Sequence, residues 1–152
     1  SSDMDAINIE APGKTDFTEL EKEYLSSAQI IRFIESLDVS SEAKLIMAKV
    51  ADITFICGET MLKFGKKIFE IVIMLSQKFP NMFIGMIISA LLVLVIAQLP
   101  FVGTILSQLF GSLIMALGLS AGAIQDFKDN VFARKIGEAT AMFAPLKEAK
   151  AT

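Results

Sequence analysis

Hydrophobic positions recur along this chain with different rhythms, and each rhythm predicts an element. Phe17, Leu20, Tyr24, Ala28, Ile31 and Ile34 return at steps of three and four, one face of a helix, while Glu19, Glu23, Gln29 and Arg32 occupy the other. Thr18 and Glu21 have the spacing of a capping box that opens this helix, with Asp16 and Glu19 as an alternative register. Asp38-Val39-Ser40-Ser41 then supplies a break and a fresh N-cap. A longer helix is predicted from Ser41 to Phe79, with Ile46, Val50, Ile53, Cys57, Phe64, Ile68, Ile71 and Leu75 as its apolar stripe and Glu59–Lys63 as an i,i+4 ion pair on its polar side. Gly58 and Gly65 weaken that helix and mark either a close crossing or a hinge.

Beyond Pro80-Asn81 the rhythm stops, because almost every position is apolar. Met82–Leu99 is an 18-residue apolar segment and Phe101–Ile124 a 24-residue one. As helices they would measure about 27 and about 36 Å. Pro100, Phe101 and Gly103 lie in the turn between them, so the two segments form an antiparallel hairpin. Amphipathicity returns after Asp126, where Phe132, Ile136, Ala139 and Phe143 share a face until Pro145. The chain therefore divides into a mobile arm (1–15, with Pro12-Gly13), an acidic amphipathic helix (16–39), a long amphipathic helix (40–79), a hydrophobic transmembrane-type hairpin (80–125) and an amphipathic C-terminal helix with its tail (126–152). The expected fold class is all-α: a membrane-associated helical protein whose central hydrophobic hairpin is flanked by amphipathic helices.

Composition by itself is unremarkable at 53% hydrophobic over 152 residues, but charge placement changes the picture. All 14 basic and 17 acidic side chains lie outside residues 79–125. A helix that is apolar all round must be buried in lipid or in protein. Enclosing a central helical pair takes about six neighbours at ~10 Å spacing, and the sequence offers three further helices. Lipid or sibling subunits are therefore expected to complete the burial. Lys44, Lys49, Lys63, Lys66, Lys67 and Lys78 give residues 43–78 a basic balance while 1–42 are acidic, which places both termini on the cytoplasmic side. Lys63, Lys66, Lys67 and Lys78 are candidates for anionic lipid head groups.

Small residues offer a packing seam. Gly103, Ser107 and Gly111 are spaced by four, Gly118 and Gly122 form a GxxxG, and Gly85 with Ser89 match them on the first segment. These residues are the expected helix-packing surface of a homo-oligomer. Residues 16–37 are the expected docking site for a protein partner.

Chemistry is mostly excluded. Without His, and with Cys57 alone, the chain has no imidazole or thiolate metal site and no His-based triad. Glu19, Glu21 and Glu23 read as a solvated helix N-terminus, Cys57 as a buried small hydrophobe, and the eight Met as core filler. Gln98, Gln108 and Gln125 are the long polar side chains in or beside the apolar block, suited to bonds between helices. No phosphate-loop or dinucleotide motif occurs, and the slightly acidic net charge of −3 argues against nucleic acid. The expectation is a non-enzyme with no catalytic residue, cofactor or metal.

The uncharged hairpin with its Pro-aliphatic-Gly turn, set between amphipathic helices, resembles the hydrophobic hairpin of colicin-type bacterial pore-forming toxins and is similar in outline to small holin-like proteins. The resemblance covers about residues 80–125. It implies a membrane-inserting protein that forms an oligomeric pore or channel. Colicin-type insertion would start from a soluble state with the hairpin hidden in a larger bundle, so the short chain favours a membrane-resident or polymeric protein. The alternatives are a structural subunit of a secretion, conjugation or phage tube or ring, and an anchor or immunity-type protein that docks a partner on its acidic helix.

Overall fold

The structure is a computed structural model that describes residues 18–57, 59–99, 103–119, 122, 130–148 and 150–151. The arm 1–15 and the turn residues Pro100 and Phe101 lie outside them. The fold is mostly helical, in keeping with the all-α expectation, with one small sheet. In chain order the elements are α1 (Thr18–Glu21), α2 (Ser27–Ser36), α3 (Ser41–Ala51), β1 (Phe55–Cys57), β2 (Thr60–Leu62), α4 (Phe64–Lys78), α5 (Ile84–Gln98), α6 (Gly103–Ala116), α7 (Asn130–Ala141), a 3-10 turn (Ala144–Glu148) and β3 (Lys150–Ala151).

Two expected helices are each broken in two. The stretch from Asp16 leaves helical geometry after Glu21 and restarts at Ser27, where Ser26 and Gln29 form the capping box that Thr18 and Glu21 were expected to supply. Ser26 Oγ accepts from Gln29 N at 3.1 Å and Gln29 Oε1 accepts from Ser26 N at 2.7 Å. Ser40 caps α3 as its position predicts, accepting from Ala43 N. The long helix expected over 40–79 ends at Ala51 and resumes only at Phe64. Thr54, Phe55, Ile56 and Thr60 are β-branched or aromatic, and they favour a pleated strand over a helix. β1 and β2 pair antiparallel, Phe55 opposite Leu62 and Ile56 opposite Met61, so the first pair is buried and the second exposed. β3 adds to the other edge of β1 and brings the C-terminal tail back to the middle of the chain.

Gly65 fits the close crossing. A Cβ there would overlap the Val50 carbonyl oxygen, and its N–H donates to Ile53 O at 3.0 Å, so α4 crosses the end of α3 at backbone distance. The core then runs along α4 and α5. Ile68, Ile71, Val72 and Leu75 of α4, and Ile87, Leu91, Leu92 and Val95 of α5, are fully buried. T-shaped ring pairs join Phe64 to Phe143 at 5.2 Å and Phe79 to Phe132 at 5.3 Å, which fastens α7 and the segment after it onto α4.

The hairpin reading needs its largest correction here. α5 packs against α4, α6 and α7, whereas α6 lies on α3 and α5, burying Leu106, Phe110 and Leu113, half-burying Leu109 and Ile114, and leaving Ser107, Gln108, Gly111, Ser112 and Met115 outside. α5 buries eight of its 15 residues and leaves Leu94 41% exposed, so the chain encloses its most apolar segment only in part. The lack of charge in α6 conceals a polar face built from Ser and Gln. α5 has 15 residues and α6 has 14, about 22 and about 21 Å against a ~30 Å hydrocarbon core. Among the described residues no helix is long and apolar enough to cross a membrane.

Candidate functional site

Charged side chains seldom enter a core unless they are paired. α4 buries three of them, Lys66, Lys67 and Glu70, the last two with side chains only 2% and 1% exposed. They face the irregular segment between α1 and α2, residues 22–26, and that break in the helix is what brings main-chain groups within their reach. Glu70 Oε1 pairs with Lys67 Nζ at 2.9 Å, while Glu70 Oε2 accepts from the N–H groups of both Tyr24 and Leu25 at 2.8 Å. Lys67 Nζ also donates to Lys22 O at 2.8 Å and stands 4.4 Å from the centre of the Tyr24 ring, in cation–π contact. The pair is thus desolvated, yet each charge meets several partners. Without such partners burial would be strongly unfavourable.

Toward solvent, Glu23 extends the network. Its Oε1 receives Lys63 Nζ at 3.0 Å and Lys66 Nζ at 3.3 Å. The hydrogen bond from Lys63, then that from Lys66, and the positive charge of both ammonium groups hold the Glu23 carboxyl below its ordinary carboxylate range. A cavity of about 400 Å³ opens beside these groups, walled by Thr60 and Met61 of β2. What the arrangement shows is ion pairing between α4 and the segment before α2. Among the described residues no three of His, Cys, Asp and Glu come together in a group that could hold a metal.

Of the four lysines expected at lipid head groups, three meet here and the fourth does not. Lys67 is committed to Glu70, Lys66 to Glu23, and Lys63, still 57% exposed, shares Glu23 rather than pairing with Glu59 as expected. In this conformation Lys66 and Lys67 serve the core and not a lipid surface. Lys78 lies exposed at the end of α4, beside a shallow apolar hollow formed by Phe79, Pro80, Met82 and Phe83. Glu23, expected on a solvated helix N-terminus, instead follows α1 and bridges to α4.

The expected small-residue seam is dispersed. Gly85 and Ser89 are buried within the chain, and the nearest atoms a Cβ at Gly85 would meet belong to the ring of Phe83. Among the described residues the Ser89 hydroxyl has no hydrogen-bond partner. Gly103 opens α6, and Ser107 and Gly111 lie on its outward side, with open space around a Cβ at Gly111. Gly118 is not a packing glycine. At φ +75° it closes α6 in a Schellman motif, Leu119 N donating to Ile114 O and Gly118 N to Met115 O. Gly122 is exposed. Gln98 is half-buried and Gln108 exposed, Cys57 ends β1, and Gln125 lies outside the described residues.

Glu70 and Tyr24 were missed in the sequence. The available signal was a lone carboxylate in the apolar run Ile68-Phe69-Glu70-Ile71-Val72, three residues after Lys67, a position that demands a buried partner. Comparison with protein-family models, with curated proteins and with solved structures finds no match to this chain.

Proposed function

We propose that this is a non-enzymatic helical protein that inserts its α5–α6 segment into a lipid bilayer and self-associates there as a pore, channel or other membrane-embedded assembly. One observation carries the reading: residues 79–125 have no formal charge, and α5 within them is apolar on every side. Its neighbours α4, α6 and α7 offer it mainly apolar side chains. To such a helix, burial among side chains and burial among acyl chains are nearly equivalent, so it can exchange one for the other if the bundle opens. Insertion also requires the helices to lengthen from their folded 15 and 14 residues toward the full apolar segments Met82–Leu99 and Phe101–Ile124. The basic balance of residues 43–78 keeps both termini on the cytoplasmic side.

The test is to mix the full chain with vesicles of mixed neutral and anionic lipid, then measure release of entrapped dye and resistance of the bound protein to carbonate extraction. Both together support the proposal. Intact vesicles with all protein in the supernatant overturn it.

A second reading, a structural subunit that assembles without lipid, draws on the outward side of α6, where Ser107 and Gly111 would let the backbone of another copy approach closely. Gly111→Leu projects into open space and should leave the melting temperature of the monomer unchanged while reducing particle size on sedimentation. Wild-type protein that sediments as a monomer removes this reading.

A further inference from the structure

Lys63 and Lys66 both direct their ammonium groups at a single oxygen, Glu23 Oε1, at 3.0 and 3.3 Å. The two sides of that contact are anchored unequally. Lys66 belongs to the core, its side chain 9% exposed, while Glu23 is 53% exposed and sits on an irregular segment. Lys63 is the N-cap of α4 but makes no side-chain capping bond, and the first turn of α4 contains no acidic residue. The positive end of the α4 dipole therefore receives no anion from its own helix. Beside these groups lies the cavity of about 400 Å³.

We propose that Lys63 and Lys66 form a binding site for a phosphate monoester or inorganic phosphate, and that the Glu23 carboxylate occupies this site as an internal substitute. Lys67 takes no part, because Glu70 and the Lys22 carbonyl already hold its ammonium. When Glu23 swings into solvent, the ammonium groups of Lys63 and Lys66 are left facing the cavity. A phosphate monoester brings about −1.5 to −2 charge and three acceptor oxygens, enough to bond both lysines at once, where Glu23 offers them one shared oxygen. Glu23 competes through its high effective concentration, so the site is weak in the wild-type chain and strengthened when Glu23 is neutralised. The inference does not depend on whether α5 and α6 enter lipid.

Free phosphate and a lipid head group present the same chemistry, and the experiment separates them. Tyr24 is the chain's single tyrosine, there is no tryptophan, and Tyr24 adjoins Glu23 with its ring under Lys67. Tyrosine emission of the full chain therefore reports on this segment directly. The protein is titrated at constant ionic strength with inorganic phosphate, with phosphatidic acid vesicles and with phosphatidylcholine vesicles. A saturable emission change is expected, tightened about tenfold in Glu23→Gln, the scale of a hydrogen bond to a charged group. It should be lost in Lys66→Met and in Lys63→Met, the latter a change at a half-exposed side chain that leaves the core untouched. A response to inorganic phosphate supports a soluble ligand; one confined to phosphatidic acid vesicles supports a head group. No response in either the wild type or Glu23→Gln overturns the proposal, as does a response that both lysine substitutions leave unchanged.

Discussion

α4 and α5 are both 15-residue helices, joined by a short turn and packed side by side in one core, yet they are held there by different physics. α4 buries Lys66, Lys67 and Glu70 among its apolar residues, and Glu70 alone satisfies two backbone N–H groups and an ammonium. α5 has one buried polar side chain, Ser89, and otherwise only apolar contacts. Charges and hydrogen bonds are directional, so α4 fits one neighbour in one register. Apolar burial is not directional, so α5 fits any sufficiently apolar surroundings. α4 holds its place through directional contacts, and α5 mainly through apolar packing.

Three substitutions probe that difference, in order of expected effect. Glu70→Ala should destabilise by about 4 kcal/mol in chemical denaturation, because it leaves a buried ammonium and two part-buried N–H groups without their carboxylate. The double change Lys67→Met with Glu70→Leu should recover much of that loss. Equal losses in the single and double variants would mean that the pair does not act as a unit. Leu91→Ala on α5, which opens a cavity and orphans no polar group, should destabilise by about 3 kcal/mol. If it exceeds Glu70→Ala, the contrast between the helices is reversed.

The smallest effect concerns Glu23. Its carboxyl is held below the ordinary value in the folded state, so its contribution to stability is present above the unfolded carboxylate pKa and fades as pH falls through the lowered one. The difference in stability between wild type and Glu23→Gln should therefore be present near neutrality and shrink on acidification below the usual carboxylate range. A difference that grows on acidification would contradict the lowered value.

The hydrophobic segments of the core and the Ser40 cap were legible in the chain because each rests on residues a few positions apart. The hairpin at 55–62 was hidden by apolar positions that also fit a helical stripe, and its β-branched and aromatic residues were the available clue. The charged network was less legible, since Glu70 bonds to main-chain groups 45 and 46 residues away. Lys63, Lys66 and Lys67 read as a basic helix face until the opposing segment showed which carboxylates they meet.

The sequence by itself determined that residues 79–125 carry no charge and that helices dominate. Those properties follow from composition and short-range periodicity. Only the tertiary structure decided that α4 shares the core with α5, that α6 turns Ser and Gln outward, that Gly118 ends a helix and does not line a seam, and that Glu23 faces Lys63 and Lys66. Each of these depends on what another element places opposite a residue, and a local pattern carries no record of its distant neighbour.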